Sequence, residues 1–253
     1  MFPTILWLTV LALESLLLLR AVQRKGLKHY PFFYFYLGCI TARDVLLMPV
    51  YYLWPRTYGY AYWYSQFLIV VIGCGVVWEV YKVALSRYPG AARMARNVLP
   101  FLFVFATSRI FVKAWSSPNW IPGSTTLETE RDLRIVQVAL LLGLVALFTY
   151  YAIPLRRALK GIVYGFGVIV ATTTIHLSFG DSLGDGLRYL WPYIQPIAYV
   201  FVLLIWCVTL WSYEAMPELE ANPRLEVDYQ SLAAATRRQL RAVHTYVLKA
   251  IRS

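Results

Sequence analysis

The chain has 253 residues, of which 59% are hydrophobic and only 15% are charged, and its mean hydropathy is +0.55. Apolar residues make up about half of an ordinary soluble domain, so this composition lies outside the soluble range and predicts an integral membrane protein. The net charge of +11 reflects 24 basic and 13 acidic residues. The basic residues follow loops between apolar segments and match no recognition module, so nucleic acid is not an expected partner.

Seven apolar segments of membrane-spanning length follow one another along the chain. A hydrocarbon core about 30 Å thick requires roughly 20 helical residues, and lipid offers no partner for a free backbone amide, so these segments are predicted to be helices. The first lacks a preceding basic region and a following cleavage site, which indicates a retained helix rather than a signal peptide. The predicted spans are Phe2 to Leu19, Pro31 to Tyr52, Ala61 to Tyr81, Val98 to Trp115, Ile135 to Tyr151, Ile162 to Phe179, and Ile194 to Trp211.

Basic residues are concentrated in alternate loops, and this pattern predicts the orientation in the membrane. Cytoplasmic loops carry an excess of Lys and Arg, so the loops after the first, third and fifth spans are predicted to be inside. The amino terminus is then outside and the carboxyl terminus cytoplasmic. The residues predicted inside are Arg20, Arg24, Lys25, Lys28, Lys82, Arg87, Arg93, Arg96, Arg156, Arg157 and Lys160, and those predicted outside are Arg56, Arg131, Arg134 and Arg188.

Three regions are predicted on this basis. Residues 1–211 form an all-α bundle of seven transmembrane helices, and residues 212–230 form a polar linker. From Ser231 to Ser253 apolar residues recur at three- and four-residue steps between arginines, which predicts a basic amphipathic helix. Such a helix is expected to lie on anionic cytoplasmic lipid, to pair with its copy in a homo-oligomer, or to dock on a cytoplasmic protein partner.

Ionisable residues at bilayer depth are the candidate functional residues, because a charge in hydrocarbon tends to face the bundle interior and a partner. Asp44 and Arg109 are predicted at similar depths, which suits an ion pair, and Arg43 adjoins Asp44. Lys113 shares a face of its helix with Arg109, one turn away. His176 can titrate near neutral pH. These side chains are predicted to line a polar pocket that opens outward.

Glu79 completes the candidate set, and Lys82, three residues later, offers it a local salt bridge. The pocket could receive an anionic headgroup or a small metabolite. The alternative is that all these charges only join helices, with Lys113 and His176 reaching the outer surface. Gly161 and Gly165 form a Gly-x-x-x-Gly pair, which predicts close packing of helix backbones.

No catalytic set, metal site or cofactor is predicted. Cys39, Cys74 and Cys207 all fall within spans, so neither a disulfide nor a zinc site follows from them. Gly180 to Leu183 spells Gly-Asp-Ser-Leu and resembles the block that names a family of serine esterases. The later histidine, His244, is predicted on the opposite side of the membrane. A serine without a base is inert, so an esterase is not expected.

A second resemblance concerns the fold. The Arg43 region, the Tyr62-Trp63 pair and the stretch Glu79 to Tyr81 resemble an uncharacterised family of bacterial seven-helix integral membrane proteins. This resemblance implies the fold and no activity. The expected location is integral to a membrane, namely the bacterial inner membrane. The function favoured is a non-catalytic sensor, receptor-like or adaptor protein that links the outward pocket to a cytoplasmic partner. The alternatives are a small-solute or lipid carrier, a subunit of a larger membrane complex, and an intramembrane enzyme.

Overall fold

The part of the chain that the computed structural model describes comprises residues 2–23, 26–86, 88–116, 122–151, 156–179 and 185–211, with residues 227–228, 230–231, 234 and 238–239. Within these residues the protein is all-helical and has no strand. A short 3₁₀ turn, Gly26–Lys28, joins the first two helices. The helices are α1 (Phe2–Gln23), α2 (Pro31–Leu53), α3 (Pro55–Ala84), α4 (Pro89–Ser116), α5 (Pro122–Tyr150), α6 (Arg157–Phe179) and α7 (Asp185–Leu210).

Six of these helices, all but α4, are long and apolar enough to cross a membrane, as judged over the described residues. α4 contains a shorter apolar segment, Arg96–Phe105. The outer surface of the bundle is also apolar, since Phe101, Leu142 and Phe201 each expose more than 60% of their area. Soluble monomers rarely expose large contiguous apolar surfaces, whereas lipid requires them. These helices therefore indicate an integral membrane protein.

The carboxyl-terminal ends of the helices match the predicted spans to within about four residues, whereas α3 to α7 all begin earlier than predicted. Arg56, Arg93 and Arg96 therefore lie in helices rather than in loops. α2 begins at Pro31 and α6 ends at Phe179, as the sequence predicts. α5 begins at Pro122 rather than near Ile135, so the prediction that Arg134 lies in an outer loop is wrong. Arg131 is in the same helix. An apolar window stops at charged residues, but the helix continues because Arg134 is buried against a partner inside the bundle.

Six helices form a closed ring. Going round it, α1 packs on α2, α2 on α3, α3 on α5, α5 on α6, α6 on α7, and α7 returns to α1. α4 lies outside this ring, against α3 and α5. The interior of the ring is therefore bounded by α1, α2, α3, α5, α6 and α7, and a cavity there can be lined by all six.

Large aromatic side chains fill one level of the ring. Phe33, Phe166 and Trp206 are fully buried. The Phe33 and Trp206 rings meet edge to face at a centroid distance of 4.8 Å, and Tyr36 meets Phe166 in the same way at 5.3 Å. Edge-to-face contacts are favourable because the positive ring edge faces the negative ring face. The Trp206 Nε1–H also donates a hydrogen bond of 3.0 Å to the Gly161 carbonyl. The position of the Trp206 ring is therefore set by a directional hydrogen bond as well as by close packing.

The predicted close packing at Gly161 and Gly165 is confirmed. A methyl group on Gly161 would collide with the side chain of Thr209, and one on Gly165 would collide with the Trp206 indole. Both obstacles belong to α7. The two glycines thus allow α6 and α7 to approach more closely than any residue with a Cβ would permit.

We expect Gly165→Ala to lower the free energy of unfolding by about 2 kcal/mol, because overpacking a tight core forces rigid neighbours to shift. The neighbour is the fully buried Trp206, which has no free space. Gly167→Ala is the matched control on the same helix, since no described atom lies within 4 Å of its added methyl group. Unfolding by SDS in mixed micelles measures both variants. Equal losses of stability would contradict the packing role of Gly165.

The predicted linker at 212–230 and the predicted amphipathic helix from Ser231 to Ser253 lie largely outside the described residues, as does the block from Gly180 to Leu183. One described contact joins this region to the bundle. The Tyr151 hydroxyl donates a hydrogen bond of 2.9 Å to Asp228 Oδ2, so the chain after α7 returns to the end of α5.

Candidate functional site

A cavity of about 490 Å³ lies inside the ring of six helices. This volume is within the range of roughly 300–1,000 Å³ typical of small-molecule sites. Most of its wall is apolar, and its charged groups come from α2 and α5, whereas α3, α6 and α7 contribute uncharged polar groups. The lining residues are Leu6, Trp7, Val10, Tyr36, Ile40, Arg43, Asp44, Gln66, Ile69, Arg134, Val168, Ile169, Thr172, Thr173, Tyr193, Gln195, Pro196, Ala198 and Tyr199.

A chain of hydrogen bonds forms the polar side of this cavity. Arg43 on α2 contacts Asp44 through Nη2, at 3.0 Å, and donates through Nη1 to Gln66 Oε1 on α3, at 2.7 Å. Gln66 Nε2 in turn donates to Glu130 Oε1 on α5, at 2.6 Å. Arg134 closes the chain with a contact of 3.2 Å from Nη2 to the same oxygen. Three helices are therefore joined by one alternating series of donors and acceptors.

The charges of this chain differ in their access to the cavity. The side chains of Arg43 and Asp44 retain about a fifth of their exposure, whereas those of Glu130 and Arg134 retain only 5% each. The more exposed pair, Arg43 and Asp44, can therefore exchange partners with a ligand. The buried pair, Glu130 and Arg134, is a fixed support, because a buried charge requires its counter-charge.

A second polar contact closes another part of the wall. Tyr199 on α7 lines the cavity, and its hydroxyl donates a hydrogen bond of 2.6 Å to Glu14 Oε1 on α1. Glu14 is fully buried, and its Oε2 has no hydrogen-bond partner among the described residues. The hydroxyl of Tyr199 thus stands between the cavity and a buried carboxyl group.

The polar face of α5 extends beyond the cavity to Gln137. Its Nε2 lies 3.3 Å from the Val70 carbonyl and 3.2 Å from Cys74 Sγ, both on α3. Glu130, Arg134 and Gln137 are spaced by four and three residues, which places them on one helix face. All three are buried.

Glu79 performs a different task from the one predicted. Its Oε1 and Oε2 accept hydrogen bonds from the backbone N–H groups of Phe32 and Phe33, at 3.1 and 2.9 Å. Those amides lie in the first turn of α2, which begins at Pro31 and whose N-cap residue, Tyr30, makes no side-chain cap hydrogen bond. A carboxylate also suits the positive end of the helix dipole. The Glu79 side chain therefore caps the amino-terminal end of α2 from α3, and Glu79 is not among the described residues that line the cavity.

The other predicted residues divide into three groups. Arg43 and Asp44 meet at the cavity, and each is the partner of the other. His176 is not among the described lining residues, and its ring stacks on Trp191 at a centroid distance of 4.7 Å. The side chains of Arg109 and Lys113 lie outside the described residues, so the Asp44–Arg109 pair stays a prediction.

The sequence interpretation missed Gln66, Glu130 and Arg134 as site residues. A usable signal was present, because Glu130 and Arg134 continue the buried stripe that includes Leu133 and Leu141 on the same face of α5. Gln66 had no such signal, since a single amide on a long apolar helix points to no particular partner.

The arrangement suits an amphipathic small molecule, whose polar group would meet Arg43 and Asp44 while its apolar part lies against apolar side chains such as Val10 and Val168. The described residues contain no group of three His, Cys, Asp or Glu side chains placed to hold a metal ion. Comparison of the chain with protein-family models, curated proteins and solved structures finds no match.

Proposed function

We propose that this protein is a non-catalytic, receptor-like sensor of the membrane, which binds a small amphipathic molecule in its outward-facing cavity and signals to a cytoplasmic partner. The observation that carries the proposal is the 490 Å³ cavity, which combines a mostly apolar wall with the Arg43–Asp44 pair at one side. Pockets of this kind use apolar area for affinity and a few polar groups for orientation.

The relative directions of neighbouring helices support seven spans. Gln66 and Tyr81 follow one another along α3, and their partners on α5, Glu130 and the carbonyl of Leu140, follow in the same order. α3 and α5 therefore run parallel. The chain between two parallel helices has to return across the membrane, and α4 is the helix available to do so, despite its shorter apolar segment.

The relative direction of α1 and α7 also supports seven spans. Glu14 pairs with Tyr199, and Arg20 lies over the Trp211 ring at 4.5 Å, so both helices run in one direction. The proposed orientation has the end of each helix in the cytoplasm, because Arg20 belongs to the basic loops. The cavity, lined by the early residues of α1 and α7, is then in the outer half.

The effect of ligand binding would reach the cytoplasm through α7. Five of its residues line the cavity, namely Tyr193, Gln195, Pro196, Ala198 and Tyr199, and the helix continues to Leu210, just before the proposed linker and basic tail. A ligand that moves α7 would therefore move the start of the tail. A partner of that tail, or its copy in a homo-oligomer, would detect the change.

Native mass spectrometry of the protein extracted gently from its own membrane tests this proposal. We expect a small-molecule adduct that Ala198→Phe abolishes, because the added ring takes up part of the cavity volume that the ligand needs. Arg43→Gln should weaken it by about tenfold, as a charged hydrogen bond is lost. Leu204→Phe, on the exposed side of α7, is the matched control and should retain it. Deleting residues 231–253 should also retain the adduct while ending capture of a cytoplasmic partner.

An adduct that persists in Ala198→Phe would contradict the cavity as its site. If the wild-type protein instead carries a second polypeptide and no small molecule, the subunit alternative is favoured. The carrier alternative draws on Pro196, which lines the cavity within α7 and removes one helical hydrogen bond there. Uptake of the bound molecule into proteoliposomes would favour that alternative over a sensor.

A further inference from the structure

A second cavity, of about 370 Å³, lies where α3 ends and α4 begins, separate from the cavity inside the ring. It opens at the level where the apolar span of α3 gives way to basic residues. Its walls combine aromatic rings on α3 with cations on both helices. The lining residues that matter here are Trp78, Tyr81, Lys82, Ser86, Arg93 and Arg96.

The charge at this cavity is of one sign. Lys82 lies in the last turn of α3, and Arg93 and Arg96 are one turn apart near the start of α4. All three side chains are exposed, and the described lining residues include no carboxylate. The nearest acid along α3, Glu79, is directed to the amides of α2. The first turn of α4 adds the positive end of a helix dipole.

The aromatic wall is held in place by contacts outside the cavity. The Tyr81 hydroxyl donates a hydrogen bond of 2.7 Å to the Leu140 carbonyl of α5, and the Trp78 ring meets Phe32 edge to face at 5.6 Å. Lys82 Nζ lies 5.4 Å from the Trp78 ring centroid, a cation–π distance. The site is thus a preformed pocket with an aromatic floor and a basic rim.

We propose that this cavity binds a phosphate-bearing anion at the membrane boundary, through the ammonium group of Lys82 and the guanidinium groups of Arg93 and Arg96. Guanidinium groups match phosphate oxygens in a two-pronged geometry, and lysine adds a point charge. Basic pockets between membrane helices on the cytoplasmic side favour anionic headgroups. The same chemistry fits the headgroup of an anionic phospholipid or a free phosphate group, and the site does not depend on the outward-facing cavity.

The test uses the full-length protein in neutral detergent, titrated separately with short-chain phosphatidylglycerol, the matching phosphatidylcholine, and inorganic phosphate. Native mass spectrometry measures the fraction of the protein that carries each probe. We expect phosphatidylglycerol to bind about a hundredfold more weakly to Lys82→Gln/Arg93→Gln/Arg96→Gln, given the value of each basic group near anionic lipid. The control Lys28→Gln/Arg156→Gln/Lys160→Gln removes the same charge elsewhere and should bind normally. Saturable binding of inorganic phosphate that competes with the lipid would identify free phosphate, rather than a lipid headgroup, as the anion that the cavity binds.

A single substitution, Ala92→Glu, adds a carboxylate to the cavity wall without removing a cation, and it should also abolish binding. Equal affinity in the wild-type and triple-substituted proteins would overturn the proposal. So would equal losses in the triple variant and its control, equal binding of phosphatidylcholine, or no binding of any of the three probes.

Discussion

Arg134→Met is expected to lower the free energy of unfolding by about 4 kcal/mol, because removing one partner of a buried pair leaves the other charge uncompensated. The pair is Arg134 and Glu130 on α5, whose side chains are only 5% exposed and lie 3.2 Å apart. Glu130 would keep its hydrogen bond from Gln66 but lose its counter-charge. SDS-induced unfolding in mixed micelles measures the loss.

Two further variants identify the cause. Glu130→Gln/Arg134→Met removes both charges and keeps an acceptor for Gln66, so it should be more stable than Arg134→Met alone. Arg131→Met changes a nearby residue, whose ion pair with Asp132 is 3.8 Å long and partly exposed, and it should shift stability by less than about 1 kcal/mol. A double variant that is less stable than Arg134→Met would contradict the buried-charge explanation.

Glu79→Ala is expected to lower the free energy of unfolding by about 3 kcal/mol, because it leaves two amides of α2 without acceptors inside the protein. Glu79→Gln should lose less, since its side-chain oxygen can still accept one hydrogen bond. The measurement is again unfolding in mixed micelles, with helix content followed by circular dichroism to detect fraying of α2.

Lys82→Gln distinguishes the two explanations of the role of Glu79, an ion pair with Lys82 or a cap of α2. If the carboxylate is mainly the partner of Lys82, as the sequence spacing suggests, then Lys82→Gln should be nearly as harmful as Glu79→Ala. If it mainly caps α2, as its contacts with Phe32 and Phe33 indicate, Lys82→Gln should be close to neutral. Near-equal losses in Glu79→Ala and Lys82→Gln would therefore reject the capping role.

Helix positions followed from the sequence because hydropathy is a local property. α2, α6 and α7 end within a residue or two of their predicted ends, and the close approach at Gly165 followed from small residues at a four-residue step. The long amino-terminal extension of α5 did not follow. A window that averages hydropathy treats Arg134 as a loop residue, whereas its burial depends on Glu130 one turn away.

The candidate site was predictable only in part, because partners across the bundle are a tertiary property. Arg43 and Asp44 were identified as ionisable residues at membrane depth, and they do line the cavity. Their link to Gln66 and Glu130 depends on which faces of α2, α3 and α5 meet, and no spacing in the sequence encodes that. Glu79 shows the same limit, since its acceptor role requires the start of another helix to lie beside it.

The polar face of α5 has a consequence for how the protein is made. On insertion scales, a charged residue costs up to about 3 kcal/mol, the value at the centre of a membrane helix. Glu130 and Arg134 lie at the start of the apolar part of α5, and their face is better suited to protein than to lipid. Among the described residues, the groups outside α5 that bind this face include Gln66, Val70 and Cys74 of α3, and Tyr36 of α2 interacts with Arg134. α3 precedes α5 along the chain and leaves the ribosome first. The binding surface for α5 is therefore synthesised before α5 itself, and the order of the helices is also a workable order of assembly.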